Sequence, residues 1–323
     1  MKAIVYEKYG PPEVLHLEEV EKPVPGESEV LVKIQAASVN YGDAVLVRGK
    51  PLVGRLWSGL LAPKHRILGT DISGQVEAVG RNARQFRPGD EVFGDIGDCG
   101  FGAFAQYVAV PEKAMAPKPV NITFEEAAVV PQAAAVALQG LRNKGQIQQG
   151  HKVLVNGASG GIGTFAIQIA RGLGAEVAGV CSTRNMDLVR SIGAHQVVDY
   201  TREDFAQNGG QYDLIFDIVA NRSVSDYLRA LNPGGIYVAC AFNPSAMFLG
   251  AFMSKKDGKR VTSFYQKPNV EDLIFIKELI EAGKVKPVID QRYPLPEVPQ
   301  AMRYLEAGRG YGKIAITIHH DDA

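Results

Sequence analysis

Lys152-Val153-Leu154-Val155-Asn156-Gly157-Ala158-Ser159-Gly160-Gly161-Ile162-Gly163-Thr164 is the stretch that decides the fold of this 323-residue chain. A short apolar strand runs into a glycine-rich turn, and the turn opens an apolar helix, Phe165 to Gly172. Gly160 lets the backbone approach a pyrophosphate with no Cβ in the way. Gly163 lets the helix pack closely on the strand. The N–H groups at the helix start face an anion, with the helix dipole behind them. Ala158 stands where such a fingerprint usually opens with Gly, so the pattern is Ala-x-Gly-x-x-Gly. An ordinary tight strand–helix turn shares part of that signal.

The neighbourhood extends it. After the turn Gly172-Leu173-Gly174-Ala175 a second strand runs from Glu176 to Cys181, the right-handed return of a nucleotide-binding βαβ unit. Its end reads Cys181-Ser182-Thr183-Arg184-Asn185, with hydroxyls and a guanidinium where an NAD site carries a carboxylate for the ribose hydroxyls. That chemistry suits a 2′-phosphate, which Arg184 meets with charge-assisted donors, so the expected cofactor is NADPH. The competing reading of Arg184 is a solvated surface charge.

The length suggests two domains with ample material for two cores. With 35 basic and 35 acidic residues the net charge is zero, and no basic excess exists to drive nucleic-acid binding. The amino-terminal stretch Met1 to Glu7 runs straight into strand pattern, without the apolar core of a signal peptide. No apolar run approaches the roughly 18 residues of a membrane helix; Pro131 and Gln132 break the longest candidate, Ala127 to Leu138. The expectation is a soluble, cytoplasmic protein without a membrane partner. The three cysteines, Cys99, Cys181 and Cys240, form no C-x-x-C pair and no disulfide framework.

The first third is rich in strands and turns: Ala3 to Tyr6, Val14 to Val20, Glu29 to Ala37, Ile72 to Val79, Asp90 to Phe93 and Phe104 to Val108. Near residue 123 the pattern changes. Thr123-Phe124-Glu125-Glu126 caps a helix, and helices then alternate with strands to about residue 267. Val197 to Tyr200, Tyr212 to Asp217 and Gly235 to Cys240 read as buried parallel strands, and Lys259 to Tyr265 as a sixth. A helix from Val270 to Ala282 and a strand from Lys313 to Ile318 follow, the strand expected to rejoin the first domain.

This order resembles the medium-chain dehydrogenase/reductase superfamily, most closely its zinc-free quinone oxidoreductase branch, over nearly the whole chain. Six motifs carry the likeness: Ala37 to Asp43 with Arg48-Gly49; Gly69 to Gly74; Arg87 to Val92; Asn156 to Gly163; Leu231 to Gly235; and Gly312-Lys313-Ile314. The resemblance implies an α/β fold: a doubly wound parallel Rossmann sheet over 124–267, and a GroES-like β-barrel domain over 1–123 and 268–323. The zinc-dependent branch carries a Cys in the segment matching residues 38 to 43 and Gly-His-Glu in the segment matching 69 to 71. Here stand Asn40 and Gly69-Thr70-Asp71, and only Cys99 remains of a four-cysteine lobe. The six histidines, His16, His65, His151, His195, His319 and His320, are scattered apart from the terminal pair. No metal is expected, since Zn²⁺ wants about four N/S ligands.

Without a Lewis acid to ionise an alcohol, reduction of an electrophile is the accessible chemistry. Quinones and α,β-unsaturated carbonyls fit, because their oxygen gains charge as hydride arrives. The resemblance places Asn40, Tyr41 and Asp43 at the nicotinamide end as catalytic candidates, Asn40 donating an amide N–H and Tyr41 a hydroxyl or a stacking face. Asp43 and Arg48 are alternatively a structural ion pair. It also places the cofactor on Ala158, Ser159, Gly160, Gly161, Ile162 and Gly163, on Ser182, Thr183, Arg184 and Tyr200, and on Cys240, Ala241 and Phe242, with Lys313 a further candidate. Two apolar segments, Lys50 to Arg66 with Trp57, and Phe242 to Phe252 with Phe248, read as a lid over the substrate (Arg48, Trp57, Phe248), as plain packing, or as a dimer contact. A homodimer joined near Val261 to Tyr265 is implied. Two other functions stay open: an enoyl or alkenal reductase of acyl chains, and a non-catalytic NADPH-binding protein.

Overall fold

In chain order the strands are β1 (Lys2–Val5), β2 (His16–Glu19), β3 (Glu29–Val39), β4 (Asp71–Val79), β5 (Glu91–Asp95), β6 (Tyr107–Pro111), β7 (Met115–Pro117), β8 (Lys152–Asn156), β9 (Glu176–Cys181), β10 (Gln196–Asp199), β11 (Tyr212–Asp217), β12 (Leu231–Ala239), β13 (Arg260–Ser263), β14 (Ile289–Pro294) and β15 (Lys313–Thr317). The helices are α1 (Tyr41–Arg48), α2 (Arg55–Ser58), α3 (Phe124–Ala128), α4 (Pro131–Leu138), α5 (Gly161–Gly172), α6 (Met186–Ser191), α7 (Val224–Ala230), α8 (Val270–Glu281) and α9 (Val298–Glu306). The structure, a computed structural model, describes residues 1–207, 211–240 and 257–320, and of Trp57 only the backbone. No helix among them is long and apolar enough to cross a membrane.

Two units result: Met1–Gln132 with Pro268–Glu278 and Ile289–Ala323, and Ala133–Lys267 with Leu279–Val288. The division departs from the expected one at two places. Residues 124–132 stay with the first unit, because α3 packs on β3, β4, β5 and β15 and the Ser73 hydroxyl donates to the Phe124 carbonyl at 2.5 Å. Residues 279–288 go with the second, where the Gln168 amide side chain donates to the Lys286 carbonyl at 3.0 Å and accepts from its N–H at 2.8 Å.

In the first unit β14-β15-β3-β4-β5-β7 form one path, with β6 also paired to β3. Its core is the inward face of these strands, including Val30, Val32, Ile34, Ile72, Val92 and Ile316, with Phe104 packed against them from a loop. Two strands differ from expectation. His16–Glu19 is shorter than Val14 to Val20 because Pro12 starts a 3-10 turn through Val14, and the strand expected at Phe104 lies at Tyr107–Pro111. Thr123 caps α3 as expected: its hydroxyl accepts from the Glu126 N–H at 3.2 Å, and Glu126 accepts from the Thr123 N–H at 2.9 Å.

In the second unit the six strands are all parallel in the order β10-β9-β8-β11-β12-β13, the doubly wound 3-2-1-4-5-6 order. Central strands buried on both faces are unbroken apolar runs, as Val153-Leu154-Val155 and Leu214-Ile215-Phe216 show. The chain reverses direction of growth between β8 and β11, the switch point at which such sheets bind ligands at the strands' carboxyl ends.

Candidate active site

The glycine turn sits at that switch point. Gly157 has φ +91°, a backbone that favours glycine, and a Cβ there would lie 2.7 Å from Val219 Cγ2. A Cβ on Gly163 would lie 2.1 Å from the Gly157 carbonyl oxygen, so α5 reaches β8 this closely only with glycine. A Cβ on Gly160 would meet nothing nearer than the Gly157 oxygen at 3.5 Å, which leaves the face of the turn open. Gly160 caps α5 without a side chain, and the N–H groups of Gly161, Ile162 and Gly163 have no carbonyl in their own helix. Ala158 is buried; Ser159 is half-buried and accepts from the Asn185 side-chain amide at 3.0 Å, tying the turn to the end of β9. These observations fit a dinucleotide pyrophosphate.

At the ends of β9 and β10, Thr183, Arg184 and Tyr200 are exposed and Ser182 half-buried. The sequence reading found no carboxylate at the end of β9, but the adjacent strand supplies one. Asp199 ends β10 and accepts from the Thr183 hydroxyl at 2.5 Å, which with the Thr201 hydroxyl at 2.7 Å holds its carboxyl below the usual range. Arg184 has no partner among the described residues, so its guanidinium is free for an incoming anion. On the far side of the switch point, Asp217 is fully buried. Its carboxylate accepts from the Asn156 side chain at 2.8 Å, the Tyr237 hydroxyl at 2.8 Å and the Val219 and Ala220 N–H groups at 3.1 and 3.0 Å. It thereby fixes the loop that lies over Gly157. Burial, with Asp217 beside it, pushes the Cys240 thiol up to about 12, so it is neutral. Ala241, Phe242 and Phe248, and with them the segment Phe242 to Phe252, lie outside the described residues.

The first unit gathers a second set of polar groups. Antiparallel pairing puts the end of β3 beside the starts of β4 and β15, in register Ser38 with Asp71 and Val39 with Ile314. The fully buried Asp71 therefore accepts from the Ser38 hydroxyl, the Asn40 Nδ2 and the Gln132 N–H, each at 2.9 Å. Lys313 is buried, its Nζ 3.7 Å from Asp71 Oδ2, 3.3 Å from the Val39 carbonyl and in a short bond to Asn40 Oδ1. Burial pushes Asp71 up and Lys313 down from their ordinary values, each opposed by the other's charge.

Four expectations change here. Lys313 is not an open cofactor contact, because its ammonium is spent on Asn40, Val39 and Asp71. The amide hydrogens of Asn40 go to Thr70 Oγ1 at 3.1 Å and to Asp71, which leaves neither of them for a substrate oxygen. Asp43 is 1% exposed and does not pair with Arg48. The two stand five residues apart in α1, which places them on different faces of a helix. Asp43 Oδ2 instead accepts from the Asn40 N–H at 2.8 Å, and its Oδ1 has no partner. Arg48 makes a bidentate pair with Glu306 at the end of α9, its Nη2 2.7 Å from Oε2. Tyr41, 72% exposed, is the one of the three catalytic candidates open to solvent. Leu52, Val53, Leu56, Leu60 and Leu61 are also exposed, so the described residues do not bury the apolar side chains of Lys50 to Arg66. The side chain of Trp57 lies outside the described part.

Two family patterns match: one described as alcohol dehydrogenase GroES-like domain at residues 26–120, and one described as zinc-binding dehydrogenase at residues 192–316. A 2-methylene-furan-3-one reductase of Solanum lycopersicum is 36% identical over 98% of this chain and 79% of its own. The chain belongs to the medium-chain dehydrogenase/reductase superfamily, in its quinone-oxidoreductase-like branch. An NADPH-dependent alkenal/one oxidoreductase of Arabidopsis thaliana, chloroplastic, is 34% identical over 98% of this chain and 79% of its own. The quinone oxidoreductase structure from Coxiella burnetii superposes with a TM-score of 0.89 at 29% identity, covering 99% of both chains. Zinc does not fit this family member: an amide and a hydroxyl, Asn40 and Thr70, fill the metal-ligand positions and bond each other. No group of three His, Cys, Asp or Glu among the described residues forms a ligand set.

Of the groups described, Asp71, Thr70, Gln132, Asp199 and Asp217 escaped the sequence reading as members of a site. Asp71 and Thr70 lay inside a quoted motif, but only as replacements for metal ligands. Nothing in the sequence marked Asp199 or Asp217 beyond a position at a strand end.

Proposed function

We propose that this chain is an NADPH-dependent, zinc-independent reductase of quinones and α,β-unsaturated carbonyls. The observation that carries the reading is the open glycine turn with uncapped helix N–H groups in a chain whose metal positions hold Asn40 and Thr70. The names of its relatives, a furanone reductase and an NADPH-dependent alkenal/one oxidoreductase, support it and favour enones over long acyl chains.

When bound, NADPH supplies the hydride. Gly161, Ile162 and Gly163 bind the pyrophosphate through backbone N–H groups. Ser182, Thr183 and Arg184 bind the 2′-phosphate, and Tyr200 covers the adenosine. Asp199 orients Thr183 for that contact. Cys240, just past the end of β12, would stand beside the nicotinamide. Asn40, Asp71 and Lys313 form a rigid polar base for the substrate's oxygen, and Tyr41 offers a hydroxyl or a flat face to it. The exposed leucines of 52–61 would bound the substrate on its apolar side. Two further expectations belong to this reading. Among the described residues β13 is the last strand of its sheet, and such an edge is what a homodimer would pair through. Three free cysteines suit a reducing compartment such as the cytoplasm.

The test is NADPH oxidation over a panel of quinones, enals and acyl thioesters, with and without a chelator, alongside NADPH and NADH affinities of Arg184→Ala. Turnover of quinones or enones unaffected by chelation, and NADPH affinity falling about tenfold in the variant while NADH affinity holds, is the expected result. An inert enzyme that binds NADPH tightly refutes catalysis. Equal affinity of the wild type for both nucleotides refutes the 2′-phosphate site.

A further inference from the structure

Thr70 precedes β4 and is 6% exposed. Its Oγ1 accepts twice, from Asn40 Nδ2 at 3.1 Å and from Gln132 Nε2 at 3.4 Å. A hydroxyl has two acceptor lone pairs and one hydrogen. Both lone pairs are taken, so the hydrogen has to point at an acceptor outside this set. None of the described residues accepts it.

The residue is held from every side. Its carbonyl accepts from the Ile96 N–H at 2.7 Å, and its methyl stands against Gly97, where a Cβ would come within 3.2 Å. Asn40, its main donor, is clamped by Asp71 and by the Lys313 ammonium on its carbonyl oxygen. The bonds therefore run in one direction: Lys313 Nζ–H to Asn40 Oδ1, Asn40 Nδ2–H to Thr70 Oγ1. A chain that begins at a cation polarises each following donor. The hydrogen at its open end, on Thr70, is the group that this arrangement sharpens.

We propose that the Thr70 hydroxyl is a catalytic residue, the hydrogen-bond donor to the substrate oxygen that becomes negative during reduction. This rests on the reading of the chain as a quinone and enone reductase. As a hydride from NADPH forms a C–H bond at the carbon end of the conjugated system, the C=C π electrons shift and the carbonyl π pair moves onto oxygen. Thr70 donates its hydrogen bond to that oxyanion and keeps its proton. Water then protonates the enolate; in the quinone case the proton goes to oxygen and the carbon that took the hydride loses its other proton to water, which restores the aromatic hydroquinone, and NADP⁺ is the oxidised product. The sequence reading gave this donor role to Asn40; the structure moves it one bond further along the chain.

The experiment compares wild type with Thr70→Val, which keeps the methyl and shape, and Thr70→Ser, which keeps the hydroxyl. Both are read by kcat and KM on one enone and one quinone at saturating NADPH, and by NADPH affinity from nicotinamide fluorescence. Thr70→Val is expected to lower kcat about 100-fold on the enone, in line with loss of one oxyanion donor. Its NADPH affinity stays within about twofold, and Thr70→Ser stays within about threefold of wild type in kcat. The loss is smaller on the quinone, whose reduced oxygen is the weaker base, a difference that a general loss of shape would not produce. This comparison remains readable in a partly destabilised variant. The proposal is overturned if Thr70→Val turns over like wild type, if Thr70→Ser is as impaired as Thr70→Val, or if the loss is equal on both substrates. A wild type inert on every quinone and enone overturns the underlying reading, and this one with it.

Discussion

Replacing Asp43 by Asn should make the protein's stability less dependent on pH, in a direction the structure fixes. Three ionisable groups are buried together: Asp71, Lys313 and Asp43, with Tyr6 also near Asp43. One ammonium cannot neutralise two carboxylates. Asp71 receives three hydrogen bonds and the lysine, whereas Asp43 receives the Asn40 N–H and leaves Oδ1 unpartnered. Asp43 is therefore the one that takes up a proton. Burial raises it to about 7 from 3.8, with the Asp71 charge adding and the Asn40 hydrogen bond and Lys313 opposing. A folded-state pKa above the unfolded one means that the native state holds the extra proton between about pH 4 and pH 7. Stability from this group is complete below pH 4 and is lost as pH rises through 7. Three pKa units correspond to about 4 kcal/mol. For a unit of this size that is on the order of 10 °C in Tm. Asparagine has the same shape and no proton to lose. Calorimetric melting of wild type and Asp43→Asn at pH 5, 6, 7 and 8 should give a Tm difference that moves in favour of the variant as pH rises. A difference that is flat across that range, or that moves the other way, refutes a protonated Asp43.

Lys313→Met should cost about 3–5 kcal/mol, because it strands the Asp71 carboxylate in the interior, and the double variant with Asp71→Asn should recover most of that loss; urea unfolding of the two checks it, and equal loss in both would deny the coupling. Gly163→Ala drives a Cβ to 2.1 Å from the Gly157 carbonyl, so about 1–3 kcal/mol of stability and most of the NADPH affinity should go together. An unaltered dissociation constant measured by calorimetric titration would break the link between that packing and the pyrophosphate site.

Chain-local features carried a large part of the fold in the sequence alone. Unbroken apolar strands such as Leu214-Ile215-Phe216 announce a sheet buried on both faces. The glycine-rich run from 157 to 163 announces a tight turn, with no room for a larger residue at 157 or 163, and Thr123 with Glu126 announces a helix start. Each depends on neighbours a few residues away, so the order of residues suffices to read it. Boundaries were less legible: α3 belongs with the first unit because of what it packs against, and packing partners do not appear in local pattern. Tertiary structure alone decided the chemistry of the first unit. Asn40, Thr70, Gln132 and Lys313 meet only because β3, β4 and β15 lie side by side, with Lys313 standing 273 positions from Asn40. Sequence can nominate an amide as a donor. Which of its hydrogens is already spent depends on partners brought from across the chain, and only folding sets them.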